Sequence, residues 1–125
     1  MLPIERLHHF ARLTKKLDES RAFYRDVLGF QEIPRPDLRF PGAWLANYGL
    51  QVHLIVSDAV ADPQGEISSR DNHLAFHTQD LEGVERALQA AGIAYRVNIQ
   101  PSTGLKQFFF RDPDGHHVEV ASYPG

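Results

Sequence analysis

Leu7-His8-His9-Phe10-Ala11-Arg12-Leu13 near the start of the chain and Asn72-His73-Leu74-Ala75-Phe76-His77-Thr78 past its middle are two versions of one pattern, a strand-like run carrying histidine that leads into a helical stretch. The first continues through Lys15-Lys16-Leu17-Asp18-Glu19-Ser20 to a helical pattern ending at Leu28-Gly29-Phe30, and the second through Gln79-Asp80-Leu81-Glu82 to Ala91-Gly92-Ile93. Placing His9 on His73 puts Leu17 on Leu81 at an offset of 64, while Gly29 falls on Gly92 at an offset of 63. The pattern returns later: Tyr48-Gly49-Leu50-Gln51-Val52-His53-Leu54 matches Asp114-Gly115-His116-His117-Val118-Glu119-Val120 at an offset of 66. Such self-similarity marks a duplicated supersecondary unit. The expected organisation is one α+β domain of two tandem β-α-β-β-β modules, at about 5–56 and about 71–123, joined by a linker at about 57–70.

The helices stand on local signals. In the first, Phe23 with Val27 and Tyr24 with Leu28 pair at i,i+4 after an acidic, serine-containing start, and Gly29 supplies a left-handed stop. In the second, Asp80 is placed to cap, Leu81, Val84, Leu88 and Ala91 form one stripe, and Gly92 ends it. Pro34-Arg35-Pro36 with Pro41-Gly42 reads as a loop. Asp112-Pro113-Asp114-Gly115 reads as a type I turn joining Phe108-Phe109-Phe110 to the last strand.

Alternation carries the functional argument, because residues two apart in a strand share a face. Val118 and Val120 share one face of the last strand and His117 and Glu119 the other; Val52 and Leu54 are set against Gln51 and His53; Leu74 and Phe76 are set against His73 and His77. Each strand thus offers an apolar face for the helices and an opposite face rich in imidazole, amide and carboxylate, without the lysine expected of a plain solvent face. In the first strand the repeat decides: His9 aligns with His73 and is the inward histidine, and His8 points the other way.

Composition narrows the chemistry. With 42% hydrophobic residues, 13 Lys+Arg against 16 Asp+Glu and no cysteine, the 125-residue chain is an ordinary globular length without disulfides, thiolate ligands or a cysteine nucleophile. A net charge of −3 points to neither nucleic acid nor an anionic membrane as partner. No signal peptide or run of about 18 apolar residues is evident, so a soluble cytoplasmic protein is the expectation. Seven histidines are the unusual count, imidazole being the commonest metal ligand.

Together, His8-His9 followed by Ser20-Arg21-Ala22-Phe23-Tyr24, then Val27-Leu28-Gly29-Phe30, Asn72-His73-Leu74-Ala75-Phe76 and Asp112 through Val120 resemble the vicinal oxygen chelate superfamily of glyoxalase I, fosfomycin-resistance thiol transferases, bleomycin-binding proteins and extradiol dioxygenases. Gly42 through Gly49 with Val52-His53-Leu54-Ile55 is similar to its small glyoxalase-like members. The resemblance implies paired modules whose eight strands form a cup-shaped mixed sheet, usually in a homodimer. It also implies a divalent metal, Zn, Ni, Co, Mn or Fe, held by His9, His73 and Glu119, with open positions for the vicinal oxygens of a small-molecule substrate. Such a site polarises substrate oxygens and stabilises an oxyanion or enolate, the chemistry of a lyase or isomerase.

Glyoxalase I usually has glutamate where this chain has His53. A histidine there stands open between a fourth ligand, a general base and an interior residue, and Glu119 and His53 are the side chains expected to act in catalysis. The competing reading of His9, His73 and Glu119 is a set of buried polar residues paired with one another. Trp44, Phe108 and Phe110 are expected in the core in preference to stacking a substrate or filling a dimer interface, His77 in a packing or supporting role in preference to touching substrate, Lys106 as an anion contact, and His8, His116 and His117 at the surface or near turns. A metal-free binding protein of the bleomycin-resistance type is the alternative from another class, with thiol transfer or dioxygenation as further alternatives within the superfamily.

Overall fold

The computed structural model describes residues 1–124. Its first half runs β1 (His9–Thr14), α1 (Leu17–Ala22), a π-helical turn (Phe23–Val27), β2 (Gln31–Ile33), β3 (Gly42–Asn47) and β4 (Leu50–Val56). Its second half runs β5 (His73–His77), α2 (Leu81–Ala90), β6 (Tyr95–Ile99), β7 (Lys106–Arg111) and β8 (His117–Ala121). The strands form two four-stranded mixed sheets with the same plan, β1-β4-β3-β2 and β5-β8-β7-β6, in which only the β1–β4 and β5–β8 pairs are parallel. The architecture is therefore α+β and built of two βαβββ units. By contacts the chain divides after Asp62.

Strand register fixes which side chains share a face. In the first sheet Ala11, His53 and Trp44 lie abreast across β1, β4 and β3. One residue away on each strand, Val52, Leu54, Ala43 and Leu45 point to the opposite face and are buried, as are Phe23, Tyr24, Leu28 and Phe30. In the second sheet Ala75, Glu119 and Phe109 lie abreast across β5, β8 and β7, and Phe108, Phe110, Val118 and Val120 form the opposite, buried face with Leu88. Trp44 thus departs from the core placement expected of it, since its neighbours Ala43 and Leu45 occupy the core face and alternation sends it to the other. Phe108 and Phe110 are core residues, as expected.

The two helices share a plan and differ in detail. In α2 the Asp80 carboxylate accepts from the Gly83 amide at 2.9 Å, and the Ile93 amide returns to the Leu88 carbonyl beside Gly92 at φ +68°, a glycine-centred stop. No side chain caps α1; instead Thr14 Oγ1 accepts from the Lys16 amide and pairs with Ser20 Oγ at 2.7 Å, both hydroxyls buried. Leu17 to Gly29 spans one residue more than Leu81 to Gly92, and the π-helical turn takes up that residue. The Leu28 amide reaches back to the Phe23 carbonyl, the wider ring that a one-residue insertion produces. The expected i,i+4 pairing of Phe23 with Val27 is lost as a result: Phe23 is buried and Val27 exposed.

Tight turns hold the sheets. Tyr48 and Gly49, at φ +55° and +74°, form a two-residue hairpin loop between β3 and β4, a conformation matched to strand twist. The Tyr48 hydroxyl donates to the Leu28 carbonyl, and Asn47 Nδ2 donates to the Gly29 carbonyl at 2.7 Å, which ties the helix end to the hairpin. In the turn leading to β8, the Gly115 amide donates to the Asp112 carbonyl, and Asp112 Oδ1 accepts from the Asp114 and His116 amides. The stretch before β5 is bound to the second sheet, with Arg111 on the Gln64 and Gly65 carbonyls and Arg96 on the Ile67 carbonyl. No helix of the described residues is long and apolar enough to cross a membrane.

Candidate metal centre

In the second sheet His73 begins β5, and Glu119 sits mid-strand on the parallel neighbour β8, opposite Ala75. Ala75 has only a methyl on the shared face, and the His73 ring lies across to Glu119, with Nε2 to Oε1 at 3.2 Å. The other ring nitrogen, Nδ1, is 2.7 Å from the Asp71 carbonyl oxygen. A carbonyl only accepts, so Nδ1 carries a proton, and in the neutral ring it is the lone pair of Nε2 that faces the carboxylate. Phe109, edge-on at 5.4 Å and itself buried, packs against the imidazole.

Glu119 is 2% exposed, and its Oε2 has no hydrogen-bond partner. A buried carboxylate oxygen without a partner is costly, and two lone pairs facing each other at 3.2 Å are repulsive without positive charge between them. A proton on Nε2 or a cation relieves both. Orientation of one imidazole nitrogen by a carbonyl, leaving the other open, is the usual support of a metal-ligating histidine. His73 and Glu119 therefore fit a divalent cation, and a donor set of imidazole and carboxylate without thiolate suits Zn, Ni, Co, Mn or Fe.

In the first sheet, His9 opens β1, and its ring stacks on that of His53 with centroids 3.9 Å apart and planes 12° apart. On its other face His53 stacks on Trp44 at 4.2 Å and 9°. His53 Nε2 is 2.9 Å from Gln51 Oε1, so Nε2 donates. Burial lowers the His53 pKa below that of a free imidazole, helped by the positive potential of His9, His8 and Arg35. His8, expected to point away, precedes the strand and is not bound by its alternation; its Nδ1 meets Nδ1 of His9 at 2.9 Å.

Within neither unit do three or more His, Asp or Glu of the described residues stand together as a metal cluster. The first brings His9 together with His53, and the second brings His73 together with Glu119.

Other placements revise the sequence reading. His117 is 7% exposed, not a surface residue: β8 is an interior strand, and Nε2 of His117 accepts from the Ser68 amide at 3.0 Å. Burial lowers its pKa, opposed by Asp71. His77 shares the Glu119 face, and its Nδ1 accepts from the Tyr123 amide. Lys106 lies over Phe108, on the face opposite Glu119, away from the position an anion contact there requires. Gln51, read on the histidine face but given no role, Trp44, read as core, and the Asp71 carbonyl, not read at all, are the further contributors. Strand parity alone identifies the first two; the third depends on the loop before β5.

A family model described as the Glyoxalase/Bleomycin resistance protein/Dioxygenase superfamily matches residues 6–120. Glyoxylase I 4 of Arabidopsis thaliana is 36% identical over 131 residues, covering 97% of this chain and 72% of that protein. Glutathione transferase FosA of Serratia marcescens is 29% identical over 121 residues, covering 94% of this chain and 80% of its own. Among solved structures, a mutant of the fosfomycin resistance protein FosX from Listeria monocytogenes, complexed with Mn(II) and 1S,2S-dihydroxypropylphosphonic acid, superposes with a TM-score of 0.80 at 17% identity over 99% of this chain and 95% of that one. The family model spans nearly the whole chain, and the protein belongs to the glyoxalase/bleomycin resistance protein/dioxygenase superfamily.

Proposed function

We propose that the protein is a metal-dependent enzyme of the glyoxalase type, a lyase or isomerase that takes a small oxygenated molecule at a divalent metal held by His73, Glu119 and His9. The carrying observation is His73 Nε2 set 3.2 Å from a buried Glu119 carboxylate whose second oxygen has no partner. The kinship to a protein named glyoxylase I and the Mn(II) complex of FosX support the reading. When bound, the metal polarises substrate oxygens and stabilises negative charge that develops on them.

The chain's own groups then have defined work. The Asp71 carbonyl holds the Nδ1 proton of His73 and so leaves Nε2 as the nitrogen open for binding. Phe109 packs against that imidazole in a T-shaped contact. In this proposal Glu119 Oε2, which has no hydrogen-bond partner, accepts a proton from a substrate carbon or hydroxyl and returns it to the product. A homodimer is part of the proposal, and light scattering tests it.

Equilibrium dialysis of chelator-stripped protein against Mn(II), Co(II), Ni(II), Zn(II) and Fe(II), with His73→Ala and His9→Ala alongside, tests the centre. Stoichiometric binding lost in both variants is the expected result, and equal binding by His73→Ala ends the proposal. Metal-loaded protein is then assayed with methylglyoxal and glutathione, with fosfomycin and thiols, and with catechols under oxygen. Turnover abolished by chelator is expected; ligand binding without turnover and indifferent to chelator would favour the bleomycin-resistance type of binding protein.

A further inference from the structure

The ring stack of the first sheet has a use beyond the ligand set. His53 is the middle leaf of three near-parallel rings, Trp44 on β3, His53 on β4 and His9 on β1. Trp44 and His53 are direct cross-strand partners. The partner of His53 on β1 is Ala11, whose methyl leaves the space into which the His9 ring leans from one pleat away. Gln51, directly opposite His9 in register, takes the Nε2 proton of His53 and fixes rotation of the middle ring in its plane. His9 is itself exposed, where side chains exchange rotamers readily, and besides the stack its ring is restrained by the 2.9 Å approach of its Nδ1 to Nδ1 of His8.

We infer that Trp44 and His53, locked by Gln51, are positioning residues that hold the His9 ring in one orientation for metal binding, His53 acting through the face of its ring. The inference rests on the reading of His9 as a ligand. It gives His53 a part distinct from fourth ligand and general base: the stack needs a flat ring at position 53, whereas ligation or proton transfer needs its nitrogen. It also explains why the chain's one tryptophan lies on the histidine face instead of in the core. Support of this kind around a ligand is worth about 10–100-fold in metal affinity.

The test measures Co(II) dissociation constants by equilibrium dialysis for the full chain and for His9→Ala, His53→Ala, His53→Phe, Trp44→Leu and Trp44→Phe, each checked by circular dichroism for an intact fold. The expected pattern is a loss of about tenfold or more in His53→Ala and Trp44→Leu, with affinity returned to within a few fold by His53→Phe and Trp44→Phe. If His53→Phe loses as much as His53→Ala, the nitrogen is what matters and the inference is overturned. If His9→Ala weakens binding but His53→Ala and Trp44→Leu do not, the inference falls and the proposed metal centre stands. If His9→Ala leaves affinity unchanged, the ligand assignment fails and takes the inference with it.

Discussion

His73 and Glu119 approach each other at 3.2 Å, nitrogen to carboxylate oxygen, on parallel neighbouring strands and one pleat out of register. With neither a proton nor a cation between them, both atoms present lone pairs. Glu119→Gln removes a buried charge and offers an amide hydrogen to His73 Nε2. In chelator-treated protein at pH 8 this variant is expected to be more stable than the parent by about 1–2 kcal/mol. With metal at a hundredfold excess over its dissociation constant the order reverses, because the parent gains about 2.7 kcal/mol that the variant forgoes. Urea melts with and without metal measure both signs, and a parent unaffected by metal contradicts the centre.

The low pKa of His53 gives a direction to the pH dependence of stability. Burial, the leading cause, and the neighbouring His9, His8 and Arg35 favour its neutral form in the fold. As pH falls below the ordinary value near 6.5, the unfolded chain takes up this proton first. The stabilisation is therefore full above that pH and is lost as pH drops through the folded-state value. In metal-free protein the His53 imidazole resonance should titrate with a midpoint below 6.5, and His53→Phe should flatten the acid side of the stability profile. A midpoint above that of a free imidazole excludes this origin.

Asp80 holds the first turn of α2 through the Gly83 amide. Asp80→Ala leaves that donor to water and is expected to lower stability by about 1 kcal/mol, whereas Asp80→Asn, which keeps an acceptor, should cost only a few tenths. The helix of the first unit has no such cap, so Asp18→Ala at its start is the matched control. Thermal melts of the three variants separate these outcomes.

Gly42 opens β3 so close to β4 that a Cβ there would collide with the Leu54 carbonyl oxygen and press on the Arg35 guanidinium. Backbone cannot yield as a flexible side chain can. Gly42→Ala is expected to destabilise by about 1–3 kcal/mol, while alanine at Gly65, where nothing lies within 4 Å, meets only the strain of a positive φ. A Gly42→Ala melt indistinguishable from the parent contradicts the packing.

The repeat made the fold legible because a duplicated unit states its plan twice, so that weak signals such as Gly29 and Gly92 check each other. Strand parity also separated His73 and Glu119 from Leu74, Val118 and Val120. Trp44 was misplaced because its size outweighed its parity, although Ala43 and Leu45 on either side carry the evidence. His117 and the Asp71 carbonyl were beyond sequence reasoning of this kind, since both depend on where the segment after Asp62 lies. His8 escaped for a different reason: alternation governs only residues inside a strand, and β1 begins at His9.

The π-helical turn shows which parts of the duplicated plan tolerate drift. An added residue in a strand would carry every later side chain to the opposite face, taking His53 or Glu119 from the face it occupies. The same addition between Leu17 and Gly29 is absorbed within a single widened turn, and the chain re-emerges at Gly29 ready to start β2. Strands of the two halves thus keep strict time with each other while their helices need not. Exchanging strand segments between halves preserves facing, but exchanging helices shifts Phe23, Tyr24 and Leu28 around the axis relative to the sheet they cover.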